Sequence, residues 1–165
     1  MPIGEKVDYN SNPPTSGKHY EDWIRSGVYS EPKEDRNLVH SLEHGYVIIS
    51  YNCDHKQAFQ INLVPGVFAH DEGDVVSING SSATPAAQLS DNFKSVDCKS
   101  LIEKLTEIVK KKGSRKLVVV PRSNLETRLA LTAWNYLDKF DKLDISRVEN
   151  FIDKHIDNGP EKTME

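Results

Sequence analysis

The sequence lacks the features that mark a membrane protein or a nucleic-acid-binding protein. No apolar run approaches the ~18 residues of a membrane span, and no basic, apolar and small-residue pattern marks a secretion signal. The net charge of −4 argues against nucleic acid as a partner. With 165 residues, of which 37% are hydrophobic, the chain is expected to form a single globular domain, residues 1–165.

Several catalytic signatures are also missing. The chain has neither a Gly-Lys-Ser/Thr phosphate loop nor a Gly-x-Ser-x-Gly elbow, which argues against nucleotide hydrolysis and serine-esterase chemistry. It has only two cysteines, Cys53 and Cys98, and they do not have the Cys-x-x-Cys spacing of a redox dithiol or a zinc knuckle. A bridge between them would close a loop of about 45 residues. Their number alone leaves open whether they are bridged or free.

The apolar periodicity predicts an α+β fold. Helices are expected at 37–44, 100–112 and 144–157, and strands at 46–51, 59–64, 75–78, 116–120 and 128–136. Asn37 is the predicted N-cap of the first helix, and Ser100 with Glu103 forms the predicted capping box of the second. The element order predicts a small mixed β-sheet covered by helices, and it is compatible with a thioredoxin-like arrangement.

The first 36 residues have a different composition. They carry few periodic apolar positions, and the segment 10–17 is dense in turn formers. The aromatic side chains in this region indicate that it packs on the rest of the domain. We therefore expect an irregular N-terminal arm, residues 1–36, that has a functional role.

Three of the six histidines suggest a metal site. His40 and His44 are four residues apart and would lie on one side of a helix, where one ion can bind both. Glu43 completes a His-x-x-Glu-His pattern, in which the carboxylate can serve as a general base of a zinc hydrolase. His19 follows the turn-rich segment and could supply a third imidazole. The alternative is that His40 is buried or capped and that His44 interacts with the helix C-terminus through its charge.

The remaining charged and histidine residues have simpler explanations. His55, His70 and His155 are expected to be exposed loop or helix residues. A basic cluster at the end of the second predicted helix is best explained by complementation of the helix macrodipole. Its members are Lys110, Lys111, Lys112, Arg115 and Lys116.

Blocks spread over nearly the whole chain resemble an uncharacterised family, "domain of unknown function 3105". The matching blocks are 9–17, 19–20, 39–46, 119–121, 131–134, 151–152 and 159–161. The sequence departs from the usual pattern at Lys18, where proline is common, and at Asn135, where glycine is common. The resemblance implies a compact bacterial or archaeal domain, often behind a membrane anchor or export signal. It does not imply an activity.

This family context implies more about the candidate residues. In an exported protein, Cys53 and Cys98 are expected to form a disulfide, because oxidising compartments permit one. His19, His40 and His44 fall inside the matching blocks, whereas the other histidines do not, which favours a shared metal site. The anchor or signal would then be missing from the sequence given, and the expected location is extracytoplasmic and membrane-anchored.

We therefore predict an extracytoplasmic domain that binds copper or zinc through His19, His40 and His44. We rank copper slightly ahead of zinc. Imidazoles suit both metals, and bridged cysteines offer no thiolate ligand. Glu43 would orient a ligand, or act as a general base if the domain is a metal-dependent hydrolase. Two alternatives remain: a metal-free interaction domain, in which the histidines hold the arm by hydrogen bonds, and a thioredoxin-like redox role. The distance between the cysteines in the sequence argues against the redox role.

Overall fold

The computed structural model describes residues 7–55 and 88–164. The predicted strands 59–64 and 75–78, together with His70, lie outside the described residues. In chain order the elements are β1 (Gly27–Val28), α1 (Asp35–Glu43), β2 (Val47–Tyr51), a 3-10 helix (Asp91–Lys94), α2 (Val96–Lys111), β3 (Leu117–Pro121), β4 (Leu129–Ala133), β5 (Tyr136–Phe140) and α3 (Ile145–His155).

The described strands form one mixed sheet with β2 at its centre. Their order is β1-β3-β2-β4-β5. The strands β1, β3 and β2 are parallel, whereas β4 is antiparallel to both β2 and β5. The predicted α+β fold, a small mixed sheet covered by helices, is therefore confirmed. The thioredoxin-like comparison rested on the order strand, helix, strand, strand, helix, whereas the described elements place three strands, β3, β4 and β5, between α2 and α3.

The two faces of the sheet are covered differently because successive side chains of a strand point to opposite sides. We call one the helix-pair face: Val47 and Ile49 of β2 pack there against α2 and α3, through residues such as Leu105 and Ile152. We call the other the arm face. There Ile48, Val118 and Val120 pack against Leu38 and Leu42 of α1 and, in the N-terminal arm, against Trp23, Ile24 and Tyr29. The described part of the arm therefore contacts the sheet through these three side chains.

The predicted helix starts are wrong at two places. The cap position of α1 is Glu34, not Asn37, and Asn37 instead donates from its side-chain amide to the carbonyl of Asp22 in the arm. The helix α2 begins at Val96, before the predicted capping box, because the Ser95 hydroxyl accepts a hydrogen bond from the amide of Cys98.

The single strand predicted for 128–136 is a hairpin. β4 ends at Ala133 and β5 begins at Tyr136, so the chain reverses at residues 134–135. Asn135 has φ +64°, a left-handed conformation that asparagine tolerates better than most residues. The glycine that the resemblance led us to expect at this position would adopt this conformation without strain. The Asn135 amide also donates to the carbonyl of Thr15, which ties the arm to the hairpin.

Two further predictions can be compared with the structure. Cys53 and Cys98 form the predicted disulfide, with their Cα atoms 5.7 Å apart. Basic residues at the end of α2 are paired with acidic side chains of α3: Lys111 with Glu149 and Lys112 with Asp153. Among the described residues, none of the helices combines the length and apolarity needed to cross a bilayer.

Candidate functional site

Helix α1 brings two histidines together at its C-terminal end. The ring centroids of His40 and His44 are 4.5 Å apart, as expected for side chains one helical turn apart. Gly45 follows with φ +81° and donates its amide to the carbonyl of Leu42, so that the helix ends directly after the second imidazole. Since Leu42 is fully buried against the sheet, α1 holds both rings in fixed positions on the arm face.

The arm brings His19 to the same place. It is attached to α1 by polar contacts: the Ser41 hydroxyl accepts from the amide of Ile24 and lies 2.9 Å from its carbonyl oxygen. Arg36 donates to the Tyr20 hydroxyl at 2.5 Å, directly beside His19. As a result, the ring centroid of His19 lies 4.9 Å from that of His40.

The orientation of the His19 ring is set on both sides. Its Nδ1 lies 2.9 Å from the carbonyl oxygen of Gly17, and because a carbonyl only accepts, Nδ1 carries the hydrogen. Its Nε2 lies 2.9 Å from Oε2 of Glu43. A backbone carbonyl on one nitrogen is the usual arrangement for a histidine that coordinates metal through the other nitrogen.

The C-terminal segment reaches the other side of the histidine cluster. Its backbone pairs with the end of α1: Glu161 donates its amide to the Glu43 carbonyl, and Asp157 donates to the Gly45 carbonyl. Gly159 is required at this close approach, since a Cβ there would overlap the Glu43 carbonyl oxygen and the Gly45 amide nitrogen. This docking places Oε2 of Glu161 3.2 Å from Nε2 of His44.

The described residues thus form two overlapping groups of metal-ligand type. One contains His19, His40 and Glu43, and the other contains His40, His44 and Glu161. Within each group the ligand atoms lie within 4.8 Å of one another. His40 belongs to both, and its buried Nδ1 has no hydrogen-bond partner among the described residues. Neither group contains all three histidines, so the predicted ligands meet through His40.

Sequence reasoning missed three residues of this site. Trp23 had been noted only as an aromatic of the arm, but its ring centroid lies 5.7 Å from His40 and 5.1 Å from His44. Glu161 had a signal, since it lies in the last of the matching family blocks. No sequence signal marked Lys116, because it stands among other basic residues. Its buried ammonium donates to the carbonyls of His44 and Thr163.

The other described histidines lie outside the site. His55 is a partly exposed loop residue whose Nε2 is 3.0 Å from a carboxylate oxygen of Asp141. The prediction that His155 is exposed is wrong: it is buried between the rings of Tyr136 and Phe151, with centroids 4.1 and 4.5 Å away. Burial, and secondarily the charge of Lys154, lower the pKa of His155.

Comparisons with known proteins give a family and no activity. The model of a family described as "Protein of unknown function (DUF3105)" matches residues 1–90 and 93–165. No curated protein and no solved structure matches the chain.

Proposed function

The chain belongs to the DUF3105 family, and we propose that it is an extracytoplasmic domain that binds a copper or zinc ion through His19, His40 and His44. The proposal depends on one observation above all. The His40 ring lies 4.9 Å from one imidazole and 4.5 Å from another, although His19 and His44 come from different parts of the chain. Histidine nitrogen is a preferred ligand of both metals.

The hydrogen bonding around the rings supports this assignment. The Gly17 carbonyl holds the Nδ1 hydrogen of His19 and leaves Nε2 as the coordinating nitrogen. The buried Nδ1 of His40, which has no hydrogen-bond partner among the described residues, would gain one by binding the ion or through a water molecule. Neutral imidazole is the form that coordinates, so metal binding would compete with protons.

Glu43 and Glu161 give the cluster two carboxylates in addition to its imidazoles. Each contacts one histidine, at 2.9 Å and 3.2 Å respectively. Glu43 contacts Nε2 of His19, the nitrogen assigned to the ion, so it is placed to share the ion as a ligand. Glu161 contacts Nε2 of His44 and would orient that ring if it coordinates through Nδ1, and the loss of such a carboxylate commonly weakens metal binding by 10–100-fold. The two acidic side chains also favour a cation in this place over an anion.

The disulfide bears on both the choice of metal and the location. Because Cys53 and Cys98 are bridged, neither offers a thiolate, and the nitrogen-rich set that remains suits copper(II) or zinc. Disulfides persist mainly in oxidising compartments, which supports an extracytoplasmic location. Membrane anchoring is part of the same proposal.

Two other functions use the same residues. In a metal-dependent hydrolase Glu43 would act as the general base, but its contact with Nε2 of His19, the nitrogen assigned to the ion, favours a role as a further ligand. In a metal-free interaction domain the histidines would hold the arm and the C-terminal segment by contacts to carboxylates. The pairs His19–Glu43 and His44–Glu161 favour this alternative, so the experiment must separate it from metal binding.

The test is metal analysis of protein purified without a histidine tag. After loading with Cu(II) or Zn(II) and desalting, we expect about one ion per chain, as for other structural or catalytic sites of this kind. His40→Ala should lose the ion, since His40 is shared by both groups. His55→Ala is the matched control, because its ring pairs with Asp141 outside the site, and it should bind as the unsubstituted protein does.

Less than ~0.2 ion per chain in the unsubstituted protein would contradict the proposal and favour the metal-free domain. Equal metal content in His40→Ala would contradict it as well. Glu43→Gln distinguishes the two roles of that carboxylate. If Glu43 holds the ion together with His19, this variant should bind about tenfold more weakly, whereas loss of a general base would leave the metal affinity unchanged.

A further inference from the structure

The disulfide joins the end of a strand to the start of a helix, a position where reactive groups are often found. Cys53 follows the carboxyl end of β2, and Cys98 is in the first turn of α2. The separation of 45 residues along the chain argued against a redox role, but the fold removes this objection by placing the two residues at one strand end and one helix start. We propose that Cys53–Cys98 is a redox-active disulfide that accepts electrons from a partner protein with a dithiol.

The position within the sheet is the first support for this proposal. β2 has a parallel neighbour, β3, on one side and an antiparallel neighbour, β4, on the other. Its carboxyl end lies beside the carboxyl end of the parallel strand β3. In open α/β sheets, ligands commonly lie outside the carboxyl ends of parallel strands.

The helix start is the second support. α2 is 16 residues long, and the partial positive charge at its N-terminus stabilises anions in the first turn. Cys98 lies in that turn, and its amide is held by the capping hydroxyl of Ser95. The helix N-terminus would therefore favour a thiolate formed at Cys98 and offset part of the cost of its burial.

A cavity beside the bridge is the third support. It has a volume of about 570 Å³, and Cys53, Arg128, Lys104 and Lys142 are among the residues that line it. The basic side chains outnumber the acid there, Asp97, which pairs with Arg128 at 2.6 Å. Cys53 lines this cavity and is 9% exposed, whereas Cys98 is fully buried. An incoming thiolate would therefore reach the sulfur of Cys53.

The reaction conserves atoms and electrons. A thiolate of the partner attacks Sγ of Cys53, forms a mixed disulfide and breaks the Cys53–Cys98 bond, and the electron pair leaves on Sγ of Cys98. The second thiol of the partner, as a thiolate, then attacks the mixed disulfide. The products are the oxidised partner disulfide and two cysteine thiols in this chain, which have gained two electrons and, after protonation, two protons.

This site is independent of the proposed metal site. The histidines lie before the start of β2 and the disulfide after its end, so a strand of five residues separates them, on the order of 17 Å. Loss of metal binding in His40→Ala and loss of redox activity are therefore separate outcomes. Neither result would decide the other.

The first experiment is a redox titration of the unsubstituted protein. It is equilibrated in buffers with increasing ratios of reduced to oxidised glutathione, quenched and labelled with a thiol-reactive polyethylene glycol. We expect two labelled thiols per chain to appear within the range of these buffers, with an unchanged far-UV circular dichroism spectrum. A disulfide that stays oxidised in the most reducing glutathione buffer, or a fold that is lost on reduction, would show that the bridge is only structural.

The second experiment identifies the attacked sulfur with a matched pair of variants. Cys98→Ser leaves Cys53 as the free thiol, and Cys53→Ser leaves Cys98. With oxidised glutathione as the probe, the adduct should form at least about tenfold faster in Cys98→Ser, because Cys53 lines the cavity. Equal or reversed rates in folded variants would overturn the proposal, and if either variant fails to fold, the titration of the unsubstituted protein decides.

Discussion

The two faces of the sheet are stabilised by different kinds of contact. The helix-pair face is closed by two amphipathic helices that bury residues such as Leu105 and Ile152, and the disulfide belongs to the same buried cluster. The arm face is closed by one helix, the arm and the C-terminal segment. Polar contacts such as Ser41 with Ile24, and His44 with Glu161, hold these segments in place.

This difference shows where the fold obtains its stability and where it can carry a site. Apolar burial contributes free energy without specifying any chemistry. Imidazoles and carboxylates contribute less to stability, but they offer ligand atoms. The segments that present these ligand atoms are held by hydrogen bonds between distant parts of the chain, while the helix-pair face supplies most of the stability.

The largest expected effect is on the helix-pair face. Leu105→Ala removes a fully buried side chain of α2 and should lower the free energy of unfolding by about 3 kcal/mol, through lost burial and a cavity. Chemical denaturation measures this. Val96→Ala in the same helix is the control, since Val96 is 85% exposed, and it should change stability by less than about 0.5 kcal/mol. Equal losses of unfolding free energy in both variants would contradict the view that apolar burial on this face supplies most of the stability.

An intermediate effect is expected where the C-terminal segment docks on the arm face. Gly159→Ala introduces a methyl group against the backbone of Glu43 and Gly45, so the segment must shift, at a cost of about 2 kcal/mol. Zinc affinity should fall about tenfold as well, because Glu161 moves away from His44. Calorimetric zinc titration measures this. Asn158 is an exposed neighbour, so Asn158→Ala should leave both stability and zinc affinity unchanged. An unchanged zinc affinity in Gly159→Ala would show that Glu161 does not belong to the site.

The smallest expected effect is a pH dependence that arises from His155. Burial lowers its pKa in the folded chain, so the unfolded chain takes up a proton first as the pH falls. The contribution of this residue to stability is therefore complete above the unfolded pKa of about 6.5 and is lost as the pH falls towards the folded pKa. The thermal midpoint of the metal-free protein should fall less with acidification in His155→Leu than in the unsubstituted protein. His55→Leu is the control, and an identical pH profile for all three proteins would contradict the assignment.

Much of the fold could be predicted from local pattern. The apolar periodicity predicted α2, α3, β2 and β3 to within a few residues, because these elements bury one continuous face. The hairpin at Asn135 was missed, since its turn depends on an asparagine in a left-handed conformation, which alternation of side chains does not reveal. The cap of α2 was missed because two serines, Ser95 and Ser100, offered competing starts.

The part of the site on α1 was predictable from helical spacing, and His19 was predicted from its place after the turn-rich segment. His40 and His44 contact each other because they are one helical turn apart, and this spacing can be read from the sequence. The approach of Glu161 depends on Gly159, and that of Trp23 depends on the path of the arm; both involve contacts between distant parts of the chain. The exposure expected for His155 was wrong for the same reason, since Tyr136 of another element covers it.

Residue order and the periodicities of two and 3.6 were enough to indicate the family, the α+β class with a mixed sheet, and His19, His40 and His44 as the histidines of the candidate site. Only the tertiary structure decided which residues meet. It joined Cys53 and Cys98 at the end of β2, and it brought the arm and the C-terminal segment to His40 and His44. These contacts depend on the packing of whole elements across the sheet, and no local pattern encodes that packing.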